Sequence, residues 1–432
     1  MSTFTDRERL IRVFHQQEVD RIPVSPFIHV NYVKEFFGSH DVDWVLRTPE
    51  VYRHFGFDLI HRNCSILYDP LGRDSGDWRR EVSHQADGRD ETTTTVIHTP
   101  RGALRCRDAL RWVYEFDAEV SPVEFPVRDE ADFELFRSFQ PEIEQVDLSD
   151  IQRAKEAVGT AGVVAPWIQG AFNLVTIYYR KLDDLLVDAL LKPEFYRGMM
   201  EYFVGRYKDF IQQLIDAGVD VLSYGANVAN GKLIGADFYR RHIWPYEKDL
   251  VDFVQEQGVA VLFHNCGYAR DLLPLYATLG LRAYESLTPS PYGDTVLANA
   301  VQAFGLDTTL AGGIDQLDLL RKGSIQEIDD TVKNILDTVR GRSHFILGTT
   351  DYFNENTPKD KIQALADSGR KYGKLLLVSS PLFPRTAHQA GTLYEARHQQ
   401  LPGVVEHQRQ QGYPKHFRGG GEVCGDQGNP HG

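Results

Sequence analysis

His264 and Cys266 stand two residues apart, directly after the apolar run Val259-Ala260-Val261-Leu262-Phe263. Residues two apart on an extended chain point the same way, so an imidazole and a thiol share one side. Both are good zinc ligands. The same pair also reads as a hydrogen-bonded histidine beside a small, half-buried cysteine. A zinc site needs a third ligand and usually a fourth, and no cysteine occurs in the later strands. Asp351, after the run His344-Phe345-Ile346-Leu347, can supply an oxygen. Glu285, on the strand next in sequence to His264, is a second source, and Cys64, a few residues past an early strand, a third. For Asp351 a helix-entry role stands beside ligation, and for Glu285 a structural hydrogen bond. Gln169, Asn227, Asn230 and Asp315 also follow apolar runs, Asp315 in a place suited to capping the next helix. The candidate metal ligands are therefore His264, Cys266 and Asp351. The candidate catalytic side chains are Glu285, Asn227 and Tyr224, with core or pocket wall as the other reading of Tyr224. Lys232 and Arg180 are basic residues able to hold a substrate carboxylate. His15, His29, His54 and His61 show no ligand spacing.

These side chains need elements that deliver them to one place. From about residue 150 short apolar runs alternate with helical stretches. The runs lie at 163–168, 219–224, 259–263, 282–285, 308–311 and 344–347, and the helices at 192–217, 236–256, 270–279, 296–304, 325–339 and 359–372. Continuous apolar strands separated by helices predict a parallel sheet covered on both faces. An early run, Phe57-Asp58-Leu59-Ile60, makes seven strands, with Leu375 to Val378 as the candidate eighth. Two sheet architectures fit, a doubly wound open sheet and a (β/α)8 TIM barrel. No Gly-rich dinucleotide fingerprint is present, and polar residues recur at strand ends, where barrels carry their chemistry. The barrel is therefore expected.

An amphipathic helix is predicted from Asp6 to Gln17, followed by an extended exit at Asp20-Arg21-Ile22-Pro23-Val24. The threonine-rich stretch from Asp77 to Tyr114, broken by Asp87-Gly88 and Pro100-Arg101-Gly102, reads as an antiparallel hairpin insertion. The expected organisation is an N-terminal helical extension over 1–55, a TIM-barrel domain over 56–380 with a β insertion at about 77–115, and a C-terminal extension over 381–432 whose end is disordered.

Composition is that of a globular protein, 42% hydrophobic and 25% charged over 432 residues. The net charge of −14 repels nucleic acid and anionic membrane surfaces. The opening residues lack the apolar core of a signal peptide, and no run approaches the ~18 apolar residues of a membrane span. Cys64, Cys106, Cys266 and Cys424 show no disulfide spacing. A cytoplasmic location follows as the expectation. There is no Gly-x-Ser-x-Gly elbow and no P-loop.

Several segments in their order resemble the uroporphyrinogen-decarboxylase-like superfamily. They are Arg7-Glu8-Arg9-Leu10, Asp20-Arg21-Ile22-Pro23-Val24, Gly56-Phe57-Asp58, His264-Asn265-Cys266-Gly267, Glu285-Ser286-Leu287-Thr288-Pro289, Gly293-Asp294, Gly312-Gly313-Ile314-Asp315, Thr357-Pro358 and Lys371-Tyr372-Gly373. The porphyrinogen decarboxylases carry an arginine-rich motif where this chain reads Pro26-Phe27-Ile28-His29-Val30-Asn31, so tetrapyrrole decarboxylation is not expected. In its motifs the chain is similar to the cobalamin (corrinoid)-dependent methyltransferase branch, in which His-x-Cys and a later cysteine bind zinc. The resemblance implies that His264 and Cys266 are the first two ligands and that Asp351 stands where the later cysteine falls. An oxygen donor in place of a thiolate makes zinc a harder Lewis acid, suited to a hydroxyl or methyl-ether oxygen more than to a soft thiol such as coenzyme M. The resemblance further implies Zn2+ and cobalamin as cofactors. The corrinoid-carrier loop Asp-x-His-x-x-Gly is missing, so the corrinoid is expected on a separate corrinoid-binding protein, with base-off binding without that loop as the other possibility. A small-molecule methyl donor or acceptor is the other partner, and the resemblance admits a homodimer. Two alternatives stand beside this reading. One is a metal-free decarboxylase or lyase acting on a small or cyclic carboxylic acid, with His264 as general acid. The other is a non-catalytic substrate- or corrinoid-binding subunit of a larger assembly.

Overall fold

The computed structural model describes residues 4–64, 68–353 and 355–374. Twelve strands are present among them. They are β1 (Leu59–His61), β2 (Arg79–Asp87), β3 (Asp90–Thr99), β4 (Gly102–Trp112), β5 (Ala118–Glu124), β6 (Gly162–Val164), β7 (Trp167–Gln169), β8 (Val221–Gly225), β9 (Ala260–His264), β10 (Ala283–Ser286), β11 (Thr309–Ile314) and β12 (Phe345–Thr349). Strands β7 to β12 form one parallel ladder in chain order, and β1 pairs in parallel with β6. Pro166 lies between β6 and β7 and has no N–H to give the ladder. Both halves nonetheless face β8, because Asp220 N–H donates to Val164 O (3.1 Å) and Ser223 N–H to Pro166 O (2.9 Å).

The eighth position of the ring is taken by residues 22–25, the stretch expected only as an exit from the first helix. Leu347 N–H donates to Pro23 O (2.9 Å) and Ser25 N–H to Leu347 O (2.8 Å), while Asp58 N–H donates to Val24 O (2.8 Å). The segment thus lies between β12 and β1 and joins the ends of the ladder in a TIM barrel. A boundary at residue 55 leaves this barrel strand outside the domain it completes. The other candidate strand, Leu375 to Val378, lies outside the described residues, as does the expected C-terminal extension. The insertion is a four-stranded antiparallel sheet, β2-β3-β4-β5, which continues past residue 115 to Glu124.

Side chains alternate across a strand, and here the alternation sorts lumen from helix layer. Ile60, Val163, Ala165, Val221, Ala260, Leu262, Ala283, Ala311 and Ile346 form one buried cluster with Leu10, Val13 and Phe14 of the helix Asp6–Phe14. This helix, started by a Thr5–Glu8 capping box, plugs the N-terminal end of the barrel. Arg9 on its far side is buried against Asp20 (2.7 Å), Asp6 (2.6 Å) and the fully buried Asp58 (3.0 Å), and Arg21 also holds Asp58 (2.6 Å). Several motif residues of the family resemblance therefore fasten the plug. Two residues beyond the lumen-facing positions, on the same side of each strand, stand the polar groups of the opposite end. Ile60 leads to Arg62, Leu262 to His264, and Ala283 to Glu285. Among the described residues no helix is long and apolar enough to cross a membrane.

Candidate functional site

His264 ends β9 and is buried, at 1% exposure. Its Nδ1 lies 2.9 Å from Glu285 Oε2 and 3.2 Å from Ser286 Oγ, both on β10. Its Nε2 is buried and has no hydrogen-bond partner. On that side stand Cys266 and Asp351, and one donor atom from each of the three residues lies within 4.8 Å of the others. Nε2 is 4.0 Å from Asp351 Oδ1. A buried ring nitrogen left without a partner is costly, and a thiol and a carboxylate beside it make a ligand set for a divalent ion that accepts nitrogen, sulfur and oxygen donors. The carboxylate on Nδ1 is the usual outer partner of a metal-bound histidine, fixing its tautomer and ring orientation. The three residues therefore fit a metal, with an imidazole, a thiolate and a carboxylate as donors.

Burial alone lowers the basicity of His264, but neighbouring Cys266, Glu285 and Asp351 outweigh it and push its pKa up to about 10. The site thus attracts positive charge at Nε2, as a proton or as a cation. Burial acts to raise Glu285, yet the Arg62 guanidinium and His264 hold it at about 2, so it stays ionised.

The backbone beneath is strained. Ser286 has φ +101° and Leu287 φ +56°, a region that costs a non-glycine residue roughly 1–3 kcal/mol. Gly312 (φ +111°) makes room, since a Cβ there would stand 2.4 Å from Ser286 O. This bend sets Ser286 Oγ against the His264 ring.

Cys266 and Asp351 line a cavity of about 360 Å³. Its apolar walls include Leu233, Tyr268, Tyr292 and Tyr352, and its polar groups include Asn227, Asn230, Gln316 and Lys232. Phe27 stacks on Trp167 (5.8 Å between ring centres), and both meet His264 edge-on, which shields the imidazole from water.

The structure gathers His264, Cys266, Asp351 and Glu285 in one place and brings Asn227 to the cavity wall, where its Oδ1 accepts from Asn173 Nδ2 (2.8 Å). Glu285 stands behind the imidazole. Tyr224 lies elsewhere. It occupies the alternate face of β8 from Val221, points into the helix layer, and gives its hydroxyl hydrogen to Glu247. Cys64 sits beside His61 (Sγ to Nδ1 3.9 Å), where burial pushes its thiol up to about 12. Asp315 accepts from the N–H groups of Leu317 (2.8 Å) and Asp318 (3.2 Å) in a turn before the short helix Leu319–Lys322. Gln169 is buried, and its N–H donates to the Tyr207 hydroxyl (2.9 Å). Arg180 is buried on Asp188 (2.9 Å), while Lys232 lines the cavity with its ammonium 5.2 Å from the Tyr268 ring centre. Arg62, which the sequence reading missed, is bidentate on Glu285. Its one sequence signal was a charged residue directly after a barrel strand.

Tyr224 and Glu247 carry a pH dependence of their own. The Glu247 carboxylate is fully buried and accepts from the N–H groups of Ala171 (3.3 Å) and Phe172 (3.2 Å) as well as from Tyr224. Burial outweighs these bonds and pushes it from 4.5 up to about 7. A folded-state pKa above the unfolded one favours the fold fully below pH 4.5, and that contribution is lost as pH rises through about 7. The denaturant midpoint is therefore expected to fall from pH 5 to pH 8 in the wild type more steeply than in Glu247→Gln. Parallel profiles would contradict this assignment.

Residues 113–372 match the family described as uroporphyrinogen decarboxylase (URO-D). The chain is 24% identical over 374 residues to the methylcobamide:CoM methyltransferase MtbA of Methanosarcina mazei, covering 86% of this chain and 99% of that protein. It is 23% identical, over the same extents, to the protein of the same name from Methanosarcina acetivorans. A solved methyltransferase from Methanosarcina mazei superposes with a TM-score of 0.63 at 14% identity, over 85% of this chain and 99% of that one. With the family matched over more than half its length and the barrel shared with that structure, the chain belongs to the uroporphyrinogen decarboxylase (URO-D) family.

Proposed function

We propose that this protein is a corrinoid-dependent methyltransferase whose His264, Cys266 and Asp351 hold a zinc ion. The observation that carries the reading is the buried Nε2 of His264 facing a thiol and a carboxylate, with a donor atom of each residue within 4.8 Å of the others, at the mouth of a URO-D barrel. Similarity to methylcobamide:CoM methyltransferases over nearly their whole length supports the chemistry. Zinc held there would act as a Lewis acid on a substrate heteroatom. The chain supplies one thiolate and one carboxylate, so the donor set suits an oxygen substrate, a hydroxyl or a methyl ether, better than a soft thiol. The cavity of about 360 Å³ takes a small organic molecule. A corrinoid is far too large for it, which fits a cofactor brought to the mouth by a separate protein. Asn227 and its neighbours orient the substrate by hydrogen bonds, and Glu285 keeps the His264 tautomer fixed. Phe27 and Trp167 keep water from the ring.

A metal-free decarboxylase with His264 as acid is the second reading. The His264 pKa of about 10 favours it, because the ring then carries a proton at neutral pH. Against it, Lys232 is the one cation among the described residues that line the cavity, which leaves little to hold a carboxylated substrate. Elemental analysis decides between them. About one zinc per chain is expected in the wild type and a small fraction of that in Cys266→Ala. Full occupancy in the variant sinks the ligand assignment. A zinc-free wild type that releases CO₂ from a small acid establishes the second reading.

A further inference from the structure

Arg62 follows β1, while Glu285 lies on β10, 223 positions along the chain. From β1 the ring passes through β6 and β7, β8 and β9 before reaching β10, so the two residues face one another across the barrel. Their ion pair spans the lumen directly above the apolar layer that the N-terminal helix plugs. Arg62 Nη1 donates to Glu285 Oε2 (2.7 Å), and Nη2 donates to Oε1. Arg62 is 4% exposed and Glu285 also 4%. The guanidinium lies 4.3 Å from the Phe27 ring centre, and Phe27 is itself stacked on Trp167. No water competes for the fork, so the carboxylate is fixed in its plane. Glu285 Oε2, the oxygen held by Nη1, is the one 2.9 Å from His264 Nδ1.

We infer that Arg62 is a positioning residue of the metal centre, which fixes the Glu285 carboxylate and through it the direction in which His264 presents Nε2. The inference rests on the metal reading above. A histidine ligand is aimed by its outer partner, and here that partner is aimed by a second one from the opposite wall. A lysine cannot reproduce the geometry, because an ammonium is a point charge without a planar fork. The imidazole thus meets Glu285 and Trp167 directly and Arg62 through Glu285.

The test uses cobalt(II) as probe in the full-length protein, in the wild type and in Arg62→Lys, Arg62→Gln, Glu285→Gln and the Arg62→Gln/Glu285→Gln double variant. Circular dichroism checks folding in each. Chelator competition gives the cobalt affinity, and the visible cobalt bands report the ligand field. Arg62→Gln is expected to weaken cobalt binding about 10-fold, within the range typical of outer-shell partners, and to shift the bands. Arg62→Lys should recover part of the affinity. In the Glu285→Gln background the loss of Arg62 should change affinity by less than about twofold, since the effect is routed through Glu285. The double variant removes both charges, so it keeps the test open if Arg62→Gln fails to fold. Folded Arg62→Gln with wild-type affinity and bands overturns the inference, as does an undiminished effect in the Glu285→Gln background. A wild type that takes up no cobalt overturns the metal reading itself, which is a separate result.

Discussion

If His264 holds zinc as proposed, alanine there is expected to lower the proposed methyl transfer by at least about a thousandfold while the barrel stays folded. A metal acting as Lewis acid supplies several kcal/mol to the transition state, and each 1.36 kcal/mol is a factor of ten. His264 contributes the most buried donor of the three, at 1% exposure, and its loss leaves only Cys266 and Asp351, both half-buried. The fold should survive because Glu285 keeps its bidentate partner Arg62 and does not become an unpaired buried charge. The measurement is methylation of reduced cobalamin by a small methyl ether, whose C–O bond breaks to leave the alcohol, followed by the visible spectrum of the cobalamin, together with zinc content. Loss of zinc with loss of transfer supports the ligand role. Retained transfer at more than about a tenth of the wild-type rate would remove His264 from the centre.

The largest stability effect is expected at the other end of the barrel. Asp58 is fully buried and accepts from Arg9 (3.0 Å), from Arg21 (2.6 Å) and from Val24 N–H (2.8 Å), while its own N–H holds Val24 O. It thus ties the segment 22–25 to β1. Asp58→Ala leaves buried Arg9 short of a partner and Val24 N–H without an acceptor, and breaking a buried ion pair from one side costs ~3–5 kcal/mol. Asp337→Ala removes a carboxylate from an exposed pair with Lys333 and should cost less than about 1 kcal/mol. Denaturant midpoints of the two variants check this. Equal midpoints would show that Asp58 does not fasten the ring.

Much of this was legible in the residues. Seven of the barrel strands fall on short, mostly apolar runs, because both faces of a parallel sheet are covered, and such runs need no partner to be recognised. The strand at 22–25 escaped for the opposite reason. It is short and contains Pro23, and its identity depends on pairing with Leu347. His264, Cys266 and Asp351, which the structure brings together, drew attention because strand ends are where a barrel puts its chemistry. Arg62 shares that position, but its meaning lies in Glu285 on the far wall, and no local spacing encodes a contact across a lumen. Tyr224 was readable in retrospect. Val221 faces the lumen, so the alternation sends Tyr224 outward to Glu247. Counting parity along each strand from its lumen-facing residue separates Arg62, His264 and Glu285 from Tyr224 without any contact information.

The eighth strand also sets a timetable for folding. Phe27 N–H donates to Thr349 Oγ1, 322 positions later, and the neighbouring strand pairing spans a similar distance. Contacts so far apart in sequence form slowly, because the entropy of closing a long loop is paid before any contact rewards it. On the ribosome the first strand must wait for the last. Until β12 has emerged, the nascent sheet has two open edges and an apolar lumen lined by residues such as Val163, Leu262 and Ile346. Partly synthesised chains therefore expose apolar surface and unpaired strand edges of the kind that aggregates, and the helix Asp6–Phe14, made before the strands, is already at hand to cover that lumen while the ring is still open.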